Sequence, residues 1–442
     1  MKKLLSIAGS DPSGGAGIQL DIKVFQSLGH YGMAVPTALT VQNTQGVKKV
    51  LALNENFVTS QVDTLFEDIE VEGIKAGMLG KTEVASALAE KFKNFENPIV
   101  FDPVLVSTTG SRLTEGDMAK LWELIKVSHV VTPNVKELLA ITQKENIDAA
   151  VKEIKELRKT SFIITGADQG EDFVTDVLIS DGNVEVIKHE KIKTKKETHG
   201  TGCCFSSALL CFLSEGKDLY EAYLKAREFV KICLITKTEV GKGLIPVNPL
   251  NYLRRELMKI EVLERLKKAF KVFKAIPSAY KLIPEIQSNL AEAVIYPLSP
   301  QDIAAFPGRI VRAREEVEAV KDPEFGASSH VARIILAANR FDKNIRAAMN
   351  IRYKKEWIER LTSSGVFSIE SFSRKEEPTS IKEKEGSTLD WGVTLVCERL
   401  KGVPDLIYDE GDVGKEPVIR VMGKDALDVV NKVTKLAQIL NL

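Results

Sequence analysis

The chain has 442 residues, of which 61 are Lys or Arg and 61 are Asp or Glu, so its formal net charge is zero. This length predicts two or three domains, and the balanced charge gives no sign of binding to nucleic acid or to an anionic membrane. No apolar stretch reaches membrane-spanning length, and no signal peptide precedes the first predicted strand. The five cysteines form neither C-x-x-C pairs nor a zinc-ligand spacing, which suits a reducing cytosol.

The first predicted element is a short buried strand over residues 2–8, which runs into a glycine-rich loop over residues 9–17. An amphipathic helix is predicted from about Ile18 to Leu28. The loop lacks the G-x-G-x-x-G spacing, and no acidic residue clearly closes the next strand. A dinucleotide-binding interpretation of this loop is therefore weak.

Further strands alternate with helical patterns along the first half of the chain. The strand-like runs are residues 2–8, 73–75, 99–101, 130–131 and 162–165. This alternation predicts an α/β fold with a mostly parallel sheet and helices on both faces. Asp102, Asn134 and Gly166 each follow a strand, at the edge where such sheets bind ligands. Residues 174–179 and 184–189, joined by Asp181-Gly182, predict a hairpin.

The most informative segment is His199-Gly200-Thr201-Gly202-Cys203-Cys204-Phe205-Ser206-Ser207-Ala208. A glycine-spaced turn opens directly into an apolar helix of small residues. The free N–H groups and the helix dipole favour a phosphate at this position, and Cys203 lies in the first turn. The chain has no G-x-x-x-x-G-K-[ST] motif, so any phosphoryl transfer takes place without a Walker loop.

Six motifs in this half occur in a fixed order. They are S-I-A-G-S-D-P-S-G-G-A-G-I-Q-x-D, T-A-L-T-V-Q-N-T, K-A-G-M-L-G, D-P-V, T-P-N-x-x-E and H-G-T-G-C. Together they resemble the hydroxymethylpyrimidine/phosphomethylpyrimidine kinases of the ribokinase-like family, over roughly residues 1–250. The resemblance implies two successive ATP-dependent phosphorylations, which make the pyrimidine half of thiamine.

The resemblance also implies a substrate pocket. Gln42 would read the pyrimidine edge, because an amide donates and accepts together. Asp21, Gly9 and Met78 would line the same pocket. Asp21 could instead be a carboxylate on the exposed face of its helix. Met78 could instead pack in the core, and a core residue can also line the pocket.

For the chemistry, the resemblance places Cys203 where sugar kinases of the superfamily carry an aspartate base. A thiol at a helix N-terminus has a lowered pKa, so a thiolate base is expected, with mere positioning of the hydroxyl as the alternative. Asp102, Asn134 and Glu137 are expected to hold hydrated Mg²⁺ against the ATP phosphates. For Asn134 and Glu137, a helix cap is a second interpretation that can hold at the same time.

ATP itself is expected to bind at three loops. Gly200, Thr201 and Gly202 would hold its phosphates, while Thr165, Gly166 and Lys242 of the Gly241–Gly243 loop would contact the rest of the nucleotide. Mg²⁺ is the expected cofactor, and ATP is a substrate.

The second half begins after a glycine- and proline-containing segment at residues 241–249. We expect a kinase domain over 1–250, a helical linker over 251–264 and a second, smaller α/β domain over 265–442. A charged helix is predicted from about Tyr252 to Phe273, and a last helix from about Asp425. The density of arginines suits a phosphate or pyrophosphate ligand.

Residues 265–442 resemble the archaeal-type thiamine-phosphate synthase domain, which is found fused behind this kinase. The resemblance implies coupling of the pyrimidine diphosphate to a thiazole phosphate with loss of pyrophosphate. Arg309 is the first candidate to bind the leaving pyrophosphate, and its alternative is an ordinary surface arginine. His330 is the other candidate, and its alternative is a structural histidine. Gly411, Asp412 and Gly414 are expected to form a substrate loop, and no metal ligand is assigned there.

Two rival functions remain at this point. The N-terminal half can instead be a pyridoxal kinase, which shares the fold, and the C-terminal half can be a thiamine-phosphate-sensing module without catalysis. We expect a cytoplasmic enzyme that forms a homo-oligomer, with a dimer as one candidate. Its expected partners are small-molecule substrates, with no nucleic acid and no membrane.

Overall fold

A computed structural model describes residues 1–192, 197–378, 387–412 and 414–442. The chain divides into two compact units, Met1–Leu253 and Arg254–Leu442. No described helix combines the length and apolar character needed to cross a bilayer.

The N-terminal unit is built on a large sheet with strand order β3-β2-β1-β4-β5-β6-β7-β8-β9. Its strands are β1 (Lys3–Ser10), β2 (Tyr31–Asn43), β3 (Gly46–Ala52), β4 (Gly73–Ala76), β5 (Ile99–Phe101), β6 (Val130–Val131), β7 (Ser161–Gln169), β8 (Phe173–Ser180) and β9 (Asn183–Glu190). The six strands from β2 to β7 in this order run parallel, and antiparallel hairpins extend the sheet at both sides. The predicted mostly parallel sheet is confirmed.

Helices cover both faces of this sheet. They are α1 (Gly17–Ser27), α2 (Glu55–Asp68), α3 (Glu83–Phe92), α4 (Leu121–Val127), α5 (Val135–Thr142), α6 (Ile147–Ile154), α7 (Thr201–Ser214) and α8 (Leu219–Ile235). Helices α1, α7 and α8 pack with Leu4 on one face, and α2 to α6 pack with Leu5 on the other. Because successive strand residues point to opposite faces and helices cover both, β1 is buried from Leu4 to Gly9.

Short elements complete this unit. Strands β10 (Thr198–His199) and β11 (Ile245–Pro246) pair in parallel. The predicted hairpin of β8 and β9 turns at Asp181 and Gly182, whose φ angles of 51° and 77° match the left-handed conformation that such a tight turn requires. A long helix, α9 (Leu250–Lys274), crosses the boundary between the units.

The C-terminal unit carries a second sheet with order β16-β13-β12-β17-β20-β19-β18. Its strands are β12 (Leu290–Ala293), β13 (Ile303–Ala305), β16 (Glu324–Phe325), β17 (Ala347–Arg352), β18 (Ile369–Ser371), β19 (Leu406–Asp409) and β20 (Val418–Gly423), with a separate hairpin of β14 (Ile310–Ala313) and β15 (Glu316–Ala319). Among the described strands of this unit, only β18 and β19 pair in parallel. The unit is therefore a mixed α/β layer structure with a mainly antiparallel sheet.

Helices also lie on both faces of the second sheet. They are α10 (Ser329–Phe341), α11 (Lys355–Ser364), α12 (Ser387–Leu400) and α13 (Ala426–Leu440), in addition to the second half of α9. Residues of α9, α11 and α13 share one core cluster, and those of α10 and α12 share another. The predicted final helix begins one residue after Asp425, whose side chain caps it by accepting a hydrogen bond from the N–H of Asp428.

Candidate active site

A pocket of about 220 Å³ opens at the carboxyl ends of the parallel strands in the N-terminal unit. This is the edge at which α/β sheets bind ligands. Most of the residues predicted for substrate, phosphate and metal binding line it together. They are Gly9, Gln42, Met78, Asp102, Asn134, Glu137, Thr165, Gly200, Thr201, Gly202 and Cys203.

The glycine turn before α7 forms one wall of the pocket. Gly200 is the N-cap residue, with a φ of 85° and no side chain to cap the helix. A Cβ atom there would lie 2.0 Å from the carbonyl oxygen of Gly15, so only glycine lets the two glycine loops approach this closely. The first N–H groups of α7 are thus left to a ligand, as a phosphate site requires.

Cys203 lies in the first turn of α7 and faces the pocket, but the expected low pKa of its thiol is wrong. Burial raises the pKa of Cys203 to about 12, and the neighbouring ammonium of Lys75 offsets only part of this effect. The thiol is hydrogen-bonded to Asp102. The favourable helix dipole is outweighed here by the loss of solvent and by nearby carboxylates.

Sequence reasoning missed Lys75, which among the described residues is the only Lys or Arg that lines this pocket. Its Nζ lies 3.0 Å and 3.2 Å from the two carboxylate oxygens of Asp21 and 3.9 Å from Asp102 Oδ2. Burial alone would lower the pKa of Lys75, but Asp21, Cys203 and Asp102 together raise it. The K-A-G-M-L-G motif contained the signal, since a lysine in a buried strand needs a carboxylate partner.

Asp21 itself does not line the pocket, which corrects the prediction for this residue. It is fully buried on α1 and accepts hydrogen bonds from Ser6 and Ser207 as well as from Lys75. Next to Ser207, Ser206 donates to Asp102 Oδ2 at 3.0 Å. Two neighbouring serines of α7 are therefore tied to the two carboxylates that flank Lys75, and this fixes the helix beneath Cys203.

Asn134 and Glu137 form the capping box at the start of α5, as one of their two interpretations predicted. Asn134 Oδ1 accepts from the Glu137 N–H at 3.0 Å, and Glu137 Oε2 accepts from the Asn134 N–H at 2.9 Å. Burial, together with the charge of Asp102, raises the pKa of Glu137 to about 8.

The same residues bear on the expected metal. Among the described residues, no group of three or more His, Cys, Asp or Glu side chains is arranged to hold a metal ion. Asp102 and Glu137 are nevertheless two buried carboxylates, and the charge of Asp102 raises the pKa of Glu137. A cation between them would relieve this repulsion, so the donor set fits hydrated Mg²⁺.

Gln42 lies at the opposite wall of the pocket, beside two residues that the sequence analysis did not assign to the site. His199 Nε2 is 3.4 Å from the Gln42 amide and 3.1 Å from Asp11 Oδ2. Asp11 also accepts from the N–H groups of Ser13 and Gly15. His199 thus connects the first glycine loop with the second.

Gly166 lies in an irregular part of β7, not after the strand as predicted, and a buried carboxylate holds it from behind. Asp176 accepts hydrogen bonds from the Gly166 N–H at 2.8 Å and from the Tyr223 hydroxyl at 2.8 Å. Thr165 reaches the pocket, whereas Gly166 does not line it. Lys242 is exposed and also lies outside the lining, although the Gly243 N–H donates to Thr44 Oγ1 at 3.2 Å.

In the C-terminal unit, Arg309 follows β13 in a tight turn and is exposed. It has a φ of 73°, and its guanidinium donates to the carbonyl oxygen of Ile286. The N–H groups of Glu285 and Ile286 donate in turn to the carboxylate of Glu416. Arg309 therefore lies near the loop that contains Gly411, Asp412 and Gly414.

A buried charge cluster supports this loop. Asp409 accepts hydrogen bonds from Arg374 Nε at 2.5 Å and Arg420 Nη2 at 2.7 Å, and also from the Gly411 N–H at 2.9 Å. Burial would raise the pKa of Asp409, but the two guanidinium groups lower it. The cluster was not predicted, because its members are distant in sequence.

His330 lies in the first turn of α10 and is exposed. Strand β16 runs antiparallel to β13, with Glu324 opposite Ala305 and Phe325 opposite Ala304. The chain thus leaves β13 toward Arg309 at one end of this strand pair and leaves β16 toward His330 at the other. The expectation that Arg309 and His330 both act on the leaving pyrophosphate stays a prediction.

Comparison with known proteins agrees with this division into two units. Residues 11–248 match the family model of phosphomethylpyrimidine kinase, and residues 265–435 match that of thiamine-phosphate synthase ThiN. The chain is 37% identical over 447 residues to the bifunctional thiamine biosynthesis protein ThiDN of Methanocaldococcus jannaschii, covering 99% of both chains. The chain belongs to the bifunctional ThiDN family.

Two further relatives resemble the kinase part alone. A hydroxymethylpyrimidine/phosphomethylpyrimidine kinase of Staphylococcus aureus is 36% identical over 265 residues, which cover 58% of this chain and 96% of the relative. The structure of a pyridoxal kinase from Staphylococcus aureus in complex with AMP-PCP is 29% identical, with a TM-score of 0.50 over 56% of this chain and 93% of that one. The kinase part therefore has the fold of that ATP-analogue-binding enzyme.

This ThiDN family member is a bifunctional thiamine-biosynthesis enzyme, with a kinase domain followed by a thiamine-phosphate synthase domain. The recognition made from the six motifs is confirmed. The rival assignment, a pyridoxal kinase fused to a non-catalytic sensor, is not favoured, because the similarity to a bifunctional relative extends over both domains.

Proposed function

We propose that the N-terminal domain transfers the γ-phosphoryl group of ATP to 4-amino-5-hydroxymethyl-2-methylpyrimidine, and then phosphorylates the monophosphate to the diphosphate. The observation that carries this proposal is a single pocket that combines the amide of Gln42 with the open N-terminus of α7. An amide matches an aminopyrimidine edge, and a free helix N-terminus matches phosphate oxygens.

Different residues of the pocket would have different roles in phosphoryl transfer. The N–H groups at Gly200, Thr201 and Gly202 would stabilise the charge that spreads over the transferred group. Cys203, which is protonated because its pKa is raised to about 12, would position the substrate hydroxyl rather than act as a preformed thiolate base. Little base catalysis is needed when the transition state is loose.

Asp102, Asn134 and Glu137 would hold hydrated Mg²⁺, which when bound supplies positive charge beside the ATP phosphates. Behind them, Lys75 keeps the buried carboxylates of Asp21 and Asp102 compensated. Thr165 would contact the nucleotide directly. Gly166 would shape its turn, since its N–H is held by Asp176.

We propose that the C-terminal domain joins the pyrimidine diphosphate to thiazole phosphate and releases pyrophosphate. Arg309 and the Gly411–Gly414 loop lie at the same edge of the sheet, close to the cluster of Arg374, Asp409 and Arg420. A guanidinium in a fixed turn binds a departing pyrophosphate bidentately. A role for His330 stays a prediction.

The direct test is product analysis of the full chain with hydroxymethylpyrimidine, thiazole phosphate, ATP and Mg²⁺. We expect the monophosphate, the diphosphate and thiamine phosphate to appear in this order. Replacing hydroxymethylpyrimidine with pyridoxal is the control. Consumption of ATP with pyridoxal, but no pyrimidine diphosphate, would contradict the kinase assignment. Accumulation of the diphosphate without thiamine phosphate would contradict the synthase assignment.

The cysteines bear on where this chemistry takes place. All five are free thiols in the structure, which supports the proposal that the enzyme works in the reducing cytoplasm. The homo-oligomer expected from the sequence stays a prediction.

A further inference from the structure

The side-chain amide of Gln42 lies between two hydrogen-bonding groups of the kinase pocket. Thr40 Oγ1 is 3.2 Å from one end of the amide, and His199 Nε2 is 3.4 Å from the other. The oxygen and NH₂ ends of an amide have nearly the same shape. The partners of the amide therefore decide which end is which.

Thr40 settles one end. Its hydroxyl donates to the carbonyl oxygen of Ser10 at 2.9 Å, and a hydroxyl has only one proton to give. Toward Gln42, Thr40 Oγ1 is left as an acceptor. The NH₂ end of Gln42 therefore faces Thr40.

His199 settles the other end independently. Its Nε2 lies 3.1 Å from Asp11 Oδ2. Burial would raise the pKa of Asp11, but hydrogen bonds from His199 and Ser13 lower it, so this carboxylate only accepts. His199 Nδ1 is buried with no hydrogen-bond partner among the described residues, which places the ring proton on Nε2. The single Nε2–H proton lies between Asp11 Oδ2 and the Gln42 amide. An NH₂ group on this side would set two donors against each other, so the oxygen end of Gln42 faces His199.

We propose that His199 is a specificity-determining residue of the kinase pocket, because it fixes the polarity with which Gln42 reads the substrate ring. The inference rests on the proposed kinase function. The free lone pair of Gln42 lies on the His199 side and the free N–H lies on the Thr40 side. A substrate must therefore place a donor on the His199 side and an acceptor beside it.

The two rival substrates differ in this order. Beside its hydroxymethyl carbon, the aminopyrimidine carries an amine and then a ring nitrogen, which is a donor followed by an acceptor. At the equivalent positions, pyridoxal carries a formyl oxygen and then a hydroxyl, which is an acceptor followed by a donor. A Gln42 amide of fixed orientation pairs with both groups of the aminopyrimidine. With pyridoxal it would leave polar groups unpaired in the pocket, and buried unpaired groups discriminate strongly against such a substrate.

The test measures kcat/KM of the full chain for hydroxymethylpyrimidine and for pyridoxal. In His199→Leu the amide is free to turn, so we expect the preference for the pyrimidine to fall by about tenfold or more, the scale of one buried hydrogen bond. His199→Gln, which can still donate toward Gln42, is expected to restore most of the preference. The KM for ATP is expected to stay within about twofold, as for lost interactions confined to one substrate.

A second background separates specificity from support of the glycine loops. In Gln42→Ala, the further change His199→Leu is expected to leave the remaining preference unaltered. Thr40→Val removes the other restraint and is expected to lower the preference in the same direction, which gives a measurement even if His199→Leu does not fold. An unchanged preference in either single variant, or an equal loss in the Gln42→Ala background, would overturn the inference. Wild-type enzyme that fails to phosphorylate hydroxymethylpyrimidine would overturn the proposed function and this inference together.

Discussion

Lys75 Nζ lies 3.0 Å from Asp21 Oδ2, and neither side chain is exposed to solvent. Such a pair adds little net stability compared with an apolar pair of similar size, yet removing one partner leaves the other charge buried and uncompensated. Asp21 keeps its hydrogen bonds from Ser6 and Ser207, but these neutral donors do not replace a cation.

The first prediction is that Lys75→Met lowers the free energy of unfolding by about 3–5 kcal/mol. Urea denaturation of the full chain measures this change. The matched control is Lys120→Met, which breaks a half-exposed ion pair with Glu83 and is expected to cost less than about 1 kcal/mol. Equal effects of the two substitutions would contradict the account of Lys75 as a buried counter-charge.

The second prediction concerns the pH dependence caused by Glu137. Its pKa is raised from 4.5 to about 8 in the folded chain, so between these values the folded state holds a proton that the unfolded state has lost. Stability must then fall as the pH rises from 4.5 to 8. We expect a loss of the order of 3–5 kcal/mol from this group. Glu137→Gln should show a flatter profile of unfolding free energy against pH.

Mg²⁺ provides a check on the same carboxylate that does not depend on catalysis. At pH 8, where Glu137 begins to lose its proton in the folded state, added Mg²⁺ is expected to raise the melting temperature of the wild type. It should raise that of Glu137→Gln much less, because a ligand stabilises only through its affinity for the folded state. Equal shifts in both proteins would remove Glu137 from the proposed Mg²⁺ site.

The features that could be predicted from the sequence are those that depend on local patterns and on the ordered motifs. The alternation of buried strands and helices predicted the parallel sheet, and strand ends at Asp102 and Asn134 predicted the edge that carries the pocket. The capping-box interpretation of Asn134 and Glu137 is confirmed, and both residues line the pocket, while their role toward Mg²⁺ stays a prediction.

Long-range pairing was beyond these patterns. The partners Asp21 and Lys75 are 54 residues apart, so the sequence analysis placed Asp21 in the pocket and overlooked Lys75. The prediction of a low pKa for Cys203 was wrong for a related reason. The helix N-terminus, which would lower the pKa of the thiol, can be recognised in the sequence. The burial and the carboxylates that raise this pKa come from residues of other helices and strands.

The third prediction is that Cys203→Ala lowers kcat of the kinase by about 10²-fold, because the substrate hydroxyl is no longer positioned, with little change in the KM for ATP. Cys203→Ser should lose less, because a hydroxyl can also hydrogen-bond the substrate. Since the thiol pKa is about 12, alkylation of Cys203 by iodoacetamide should be slow at pH 7 and become faster as the pH rises. Rapid alkylation at neutral pH, followed by mass spectrometry, would instead identify a thiolate and restore the base role.

The last prediction concerns Arg309 and His330 in the coupling step. Negative charge grows on the departing pyrophosphate, so a cation held against it stabilises the transition state more than the ground state. We expect Arg309→Ala and His330→Ala each to lower the rate of thiamine-phosphate formation by about tenfold or more, which corresponds to the loss of one hydrogen bond to a charged group. Both kinase steps are expected to stay intact, because they belong to the other unit.

The chain leaves the β13–β16 pair toward Arg309 and toward His330 at opposite ends, so one hypothesis is a shared site to which two copies of the chain contribute one residue each. Mixing the two inactive variants then restores coupling, whereas independent roles within each chain give no recovery. Normal coupling in both single variants would remove both residues from the site.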